Sequence, residues 1–70
     1  MTGRVLAFEK SYGWIAPDEG GRDCFVHFSQ ILDHGFKTLN ENDVVIFDIE
    51  QAPKGPRALN VRVLEQAVRQ

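Results

Sequence analysis

The sequence predicts an all-β protein built as a small closed barrel, and three observations carry that prediction. Apolar and polar residues alternate with period 2 over several short runs, and each run is bounded by Gly, Pro, Asp, Asn or Ser. No stretch shows the 3.6-residue apolar repeat of a long amphipathic helix, which leaves a barrel or a sandwich. At 70 residues the chain is near the lower limit for folding alone. Closure then favours the barrel, because it removes exposed strand edges around one compact core.

The first strand is expected from about Gly3 to Phe8, ending in a tight turn of Glu9, Lys10 and Ser11. The second carries Tyr12 to Ala16. Pro17 to Arg22, with two consecutive glycines, form a strong turn signal. The third strand is expected over Asp23 to Phe28, after which Ser29 is placed to cap a single helical turn through Gln30, Ile31 and Leu32. A longer loop from Asp33 to Asn42 contains Gly35 and Phe36. The fourth strand, Val44 to Glu50, is β-branched, with Val45, Phe47 and Ile49 on its core face. Pro53, Lys54, Gly55 and Pro56 break the chain again. The fifth strand is expected from about Arg57 to Leu64, with Leu59, Val61 and Val63 inward. The whole chain, 1–70, reads as one domain with its core in about 3–64 and a polar extension at 65–70.

Two aromatic runs stand out. In Tyr12-Gly13-Trp14-Ile15, alternation puts Tyr12 and Trp14 on one face and Gly13 and Ile15 on the other. In Cys24-Phe25-Val26-His27-Phe28, Phe25 and His27 share one face, and Cys24 and Val26 the other. The small and aliphatic residues suit a core. The large rings are left facing outward, and an exposed ring cluster on a sheet is suited to stacking on something flat. Phe8, Phe47 and Ile49 read as core. His34 reads as an ordinary loop residue, and Gly20, Gly21 and Gly55 as turn glycines.

Composition narrows the field further. Formal net charge is −2 with a pI near 5.5, which taken alone argues mildly against a polyanion partner. Net charge does not describe its distribution, however: Lys10, Lys37, Lys54 and Arg57 fall in or beside expected loops, whereas Glu41, Asp43, Asp48 and Glu50 cluster around the fourth strand. The one cysteine, Cys24, has no internal disulfide partner and reads as a buried thiol in a reducing cytosol. No metal site is expected from Cys24, His27 and His34, whose spacing matches no ligand pattern, and no cofactor is expected. No Ser–His–acid set or carboxylate pair marks an enzyme. No apolar run has the length of a membrane span and no secretory signal pattern opens the sequence, so the chain is expected in the cytoplasm.

The residues Lys10-Ser11-Tyr12-Gly13-Trp14-Ile15 and Cys24-Phe25-Val26-His27-Phe28 resemble the two ribonucleoprotein-like motifs of the bacterial cold-shock proteins and cold-shock domains, Lys-Gly-Phe-Gly-Phe-Ile and Val-Phe-Val-His-Phe. The likeness extends through Pro17–Asp23, Ser29, Ile31, the loop Gly35-Phe36-Lys37-Thr38-Leu39, and Lys54, Gly55, Pro56, Ala58, Asn60 and Val61. It covers nearly the whole chain, from Gly3 to about Leu64. The resemblance implies a five-stranded antiparallel OB-type barrel that binds single-stranded RNA and DNA, acting as an RNA chaperone and in gene regulation. It places base-stacking rings at Tyr12, Trp14, Phe25, His27, Phe28 and Phe36, and polar or phosphate contacts at Lys10, Asp23, Lys37 and Lys54. The alternative is a protein-interaction module that docks a peptide on the same aromatic face. The chain is expected to be a monomer, with a strand-exchanged dimer through the loop at 33–42 as the alternative.

The sequence departs from the family pattern in its first hairpin. Where relatives read Gly-Lys-Val-Lys-Trp-Phe-Asn, this chain reads Gly3-Arg4-Val5-Leu6-Ala7-Phe8-Glu9. A lysine is replaced by Leu6 and a stacking tryptophan by Ala7, and the following turn is two residues shorter, so the alignment of Lys10 crosses a deletion. Trp14, where relatives carry phenylalanine, restores part of the lost ring area. A weaker or narrower version of the family's site is expected.

Overall fold

The computed structural model describes residues 1–32 and 38–67. Five strands, β1 (Thr2–Glu9), β2 (Tyr12–Pro17), β3 (Cys24–His27), β4 (Val44–Ala52) and β5 (Gly55–Glu65), close into a barrel in the order β1-β2-β3-β5-β4. Four neighbouring pairs are antiparallel, but β3 and β5 run parallel, meeting at Phe25 and Arg57. The barrel is thus antiparallel, as expected, at every seam but this one. The reason is arithmetic: a closed ring with an odd number of strands cannot alternate direction throughout, so one seam must be parallel. A bridge between Ile31 and Val61, with the Leu32 N–H donating to the Val61 carbonyl at 2.8 Å, extends that seam beyond β3.

The core is filled by the inward faces that alternation assigned. Val5, Ile15, Cys24, Val26, Val45, Phe47 and Val61 are buried, joined by Ile31, Leu39 and Ala58, and Phe8, Ile49 and Val63 pack against them. Gly3 and Gly13 are buried for steric reasons. A Cβ at Gly13 would lie 2.8 Å from Phe8 Cα and also strike the Ala7 carbonyl, so β1 and β2 pass too closely there for any side chain.

Two bulges set which side chains reach the surface. In β1, Val5 pairs with Ile15 and Ala7 with Trp14, leaving Leu6 as an extra residue. The phase therefore turns over: Leu6 and Ala7 both face out, and Phe8 turns in. In β5, Arg62 pairs with Ile46 and Leu59 with Asp48, so two β5 residues oppose Phe47 alone. Asn60 takes up the extra residue at φ 53°, a left-handed conformation that Asn tolerates, and its side-chain amide donates to Asp48 Oδ2 at 3.0 Å. This corrects the fifth strand: Val61 and Val63 do face inward, but Ala58 is buried and Leu59 is only half-buried, with Arg57 turned outward.

The remaining differences are at element ends. β3 stops at His27, and the single 3₁₀ turn spans Phe28–Gln30, with His27 rather than Ser29 as its cap. The break after β4 is only Pro53 and Lys54, because Ala52 already pairs with Gly55, whose φ of 129° suits glycine. Beyond β5, the Asp43 carboxylate, 2% exposed, accepts the Asn40 N–H at 2.9 Å and the Ala67 N–H at 2.8 Å. It thereby fastens the approach to β4 against the end of the described chain. Among the described residues no helix is long and apolar enough to cross a membrane.

Candidate nucleic-acid interface

The outward residues of the five strands line up in a transverse row. Ala7 of β1 faces Trp14 of β2, Trp14 faces Phe25 of β3, Phe25 faces Arg57 of β5, and Arg57 faces Glu50 of β4. A second, shorter row joins Glu9, Tyr12 and His27. Because cross-strand neighbours lie about 5 Å apart, these rows form one continuous aromatic surface. Tyr12 stacks on Phe25 with ring centroids 5.8 Å apart and planes 28° apart, and Trp14 meets Phe25 edge-on at 5.5 Å and 71°. Tyr12 and Trp14 stay 48% and 43% exposed although they touch Phe25. The contacts brace the rings and leave their outer faces open.

His27 and Phe28 continue this surface past the end of β3. Their ring centroids are 4.7 Å apart, and the Phe28 N–H donates to the Ser11 carbonyl at 2.8 Å, tying the 3₁₀ turn to the β1–β2 hairpin. His27 Nδ1 accepts the Ser29 N–H at 3.2 Å and lies 2.9 Å from the Ser29 hydroxyl. With Nδ1 used as an acceptor, the proton of the neutral ring sits on Nε2, so the exposed edge of His27 offers a donor.

Clefts flank Phe25 on both sides. One, of about 440 Å³, is bounded by Trp14, Phe25, Arg22, Asp23, Lys54 and Arg57 with the Gly55-Pro56 turn. The other, of about 270 Å³, is bounded by Phe25, His27, Ser29, Gln30, Arg57 and Leu59, with Ala58 at its base. A third depression of about 150 Å³ lies over Ala7, between Phe8, Glu9, Tyr12 and Trp14. The first cleft gathers three cations and one acid, so an acidic chain does present a locally basic rim. Gly55 has a packing role here: its missing Cβ would stand 3.0 Å from Arg22 Nη2, so glycine lets the guanidinium lie against the β4–β5 turn.

Of the site residues read from the sequence, Tyr12, Trp14, Phe25, His27 and Phe28 fall on one face, with Asp23 and Lys54 on the rim of the larger cleft. Lys10 is exposed in the β1–β2 turn at φ 57°, beside the end of the Tyr12–His27 row. Phe36 and Lys37 lie outside the described residues. Arg22, Arg57 and Glu50 were not among the site residues read from the sequence. Arg57 shares sequence parity with the inward Val61 and Val63 and reaches the surface only through the Asn60 bulge. Cys24 and His27 point to opposite sides of β3, and among the described residues no group of three His, Cys, Asp or Glu side chains could hold a metal ion. Burial, and secondarily the Asp23 carboxylate, push the Cys24 thiol above its ordinary value of 9.0 and hold it protonated.

The profile of the 'Cold-shock' DNA-binding domain matches residues 1–64. The chain is 53% identical over 66 residues to the cold shock-like protein CspJ of Salmonella typhimurium, a match covering 91% of this chain and 94% of that protein. It is 52% identical over 66 residues to cold shock-like protein CspG of Escherichia coli, with the same coverage. Among solved structures, the Drosophila Unr chain carrying its cold-shock domains (CSD456) superposes with a TM-score of 0.78 at 23% identity. That match covers 99% of this chain and 28% of the other, and it speaks to the fold.

Proposed function

Because this chain belongs to the cold-shock domain family, we propose that its aromatic face is a stacking platform for single-stranded RNA and DNA. The protein is a nucleic-acid-binding protein of the cold-shock type. The observation that carries the finer reading is the packing of Tyr12, Trp14 and Phe25: three mutually braced rings on the outer wall of a barrel whose core is already filled from the other side. Rings held this way lose little freedom when a base stacks on them, and each stack contributes about 1–3 kcal/mol. A duplex hides its base faces, so a platform of this kind takes unpaired strands.

In this reading Tyr12, Trp14, Phe25, His27 and Phe28 stack or edge the bases. Lys10, Asp23 and Lys54 supply polar and phosphate contacts, and Phe36 and Lys37 join them from the loop. Holding bases unpaired keeps RNA unstructured, the work of an RNA chaperone and of a regulator of transcription or translation in the cytoplasm. The protein acts as a monomer; strand exchange through the loop at 33–42 is the route to a dimer, and light scattering at two concentrations distinguishes them. Family membership favours this reading over docking of a peptide on the same face, and no catalysis is assigned.

Titration of the protein with short oligothymidine at low salt, followed by Trp14 fluorescence, tests the reading. Quenching that saturates supports stacking. An unchanged signal at low salt counts against it and favours a protein partner.

A further inference from the structure

The family reading leaves one pair on the platform unexplained. Arg57 stands next to Phe25 across the parallel seam and borders both clefts that flank that ring. Its Nε and Nη2 both donate to Glu50 Oε1, at 3.0 and 2.5 Å, from the directly opposed position on β4. A guanidinium carries five N–H donors in a rigid plane. The pair to Glu50 uses one side of that plane, through Nε–H and one Nη2–H. Three hydrogens remain on the Nη1/Nη2 end, and two of them point in parallel as a bidentate fork.

An arginine meant to hold phosphate would gain nothing from this arrangement. The adjacent carboxylate cancels most of its charge toward an anion and repels one directly. Lys54 and Arg22, on the rim of the same cleft, have no ion-pair partner among the described residues and suit phosphate better. What Glu50 leaves on Arg57 is direction without net charge, which serves to read a neutral group. The base that offers two adjacent acceptors to such a fork is guanine, through O6 and N7. Adenine presents an acceptor beside a donor there, and thymine presents no such pair.

We propose that the Glu50-held guanidinium of Arg57 reads the base stacked at Phe25 and selects guanine there. This rests on the platform being a base-stacking surface, and it adds a sequence preference that stacking alone does not supply. Arg57 and Glu50 are 51% and 46% exposed. The discrimination should therefore sit near the lower end of that for a bidentate arginine–guanine pair, about five-fold.

The test measures anisotropy of labelled heptathymidine and of single-substitution series carrying guanine, adenine or 7-deazaguanine at each position. The readout is the ratio of affinities against the all-thymine strand. At one position guanine should bind about five-fold better than adenine, a purine of equal stacking area, and 7-deazaguanine should lose that advantage. Arg57→Gln should bring the guanine-to-adenine ratio to about one. Glu50→Ala should lower the ratio by freeing the guanidinium. Equal guanine and adenine binding in the wild type, or a ratio unchanged in Arg57→Gln, overturns the assignment while leaving the stacking platform intact. A full ratio in Glu50→Ala overturns the orienting role of the carboxylate. Failure of the wild type to bind heptathymidine at all overturns the platform and this inference with it.

Discussion

Replacing Ala7 with tryptophan should tighten binding of single strands, and its size follows from the first transverse row. Ala7 lies directly opposite Trp14 and floors the depression of about 150 Å³ between Glu9, Tyr12 and Trp14. The Leu6 bulge has already turned position 7 outward, so an indole there extends the row by one ring without entering the core. A further base stack contributes about 1–3 kcal/mol. Holding the new side chain in place costs about 0.5–1.5 kcal/mol. A net of about 1 kcal/mol corresponds to roughly five-fold tighter binding at room temperature. A second tryptophan complicates fluorescence, so the assay is anisotropy of dye-labelled oligothymidine long enough to reach the added position. Circular dichroism and thermal melting verify that the barrel is unchanged. Affinity that is equal or weaker in a variant with wild-type melting behaviour would refute the reasoning. It would mean that the shortened hairpin aims position 7 away from the path of the strand.

Three other outcomes are expected. With Lys10, Arg22, Lys37 and Lys54 as the phosphate-facing cations, the plot of log affinity against log salt should have a slope of about −3; a slope several units steeper means that phosphate contacts dominate. Asp43→Ala removes a buried acceptor shared by two backbone N–H groups and should cost about 2–4 kcal/mol, lowering the urea midpoint by about 2 M or more. Deleting residues 66–70 should reproduce part of that loss, and combining the two changes should give less than their sum. The Cys24 thiol is raised above its unfolded value of 9.0 by desolvation and then by Asp23. The unfolded chain therefore releases this proton first as pH rises. The associated stability is fully present below about 9 and is lost as pH climbs toward the folded value. Unfolding free energy measured against pH should fall on the alkaline side in the wild type, and Cys24→Ala should flatten that limb.

Much of this arrangement could be read from the residues. Alternation in Tyr12–Ile15 and Cys24–His27 placed each ring outside and each aliphatic inside, because those runs pair without interruption. The reading failed where β5 changes phase. Counting by twos from Val63 and Val61 carries Leu59 into the core, but the left-handed Asn60 inserts one residue, so that Ala58 takes the buried position and Leu59 is only half-buried. The bulge at Leu6 did not mislead the reading, which already had Phe8 in the core and Ala7 at the position of a surface ring. A bulge leaves little trace in composition: an Asn in a strand is its only mark in β5, and β1 has none. Asp43 was grouped with Glu41, Asp48 and Glu50 around the fourth strand. Its burial depends on Asn40 and Ala67, which only the folded chain brings to it. The parallel seam, by contrast, was implicit in the expectation of a closed ring of five strands.

That seam changes what an occupied platform does to the protein itself. The β1-β2-β3 meander closes through short hairpins, whereas the seam joins Phe25 to Arg57 and Ile31 to Val61, far apart in sequence. Contacts of that kind carry a larger loop-closure cost than the hairpins do. Of the two long-range joints, β3 and β5 share one paired position against three between β1 and β4, so the seam is the natural place for the barrel to part. A strand stacked along Trp14 and Phe25 and gripped at Arg57 lies across this joint like a staple. Its binding energy then counts directly toward keeping the ring shut, and amide exchange along Phe25, Arg57 and Val61 should slow more than exchange in the β1–β2 hairpin when the strand is present.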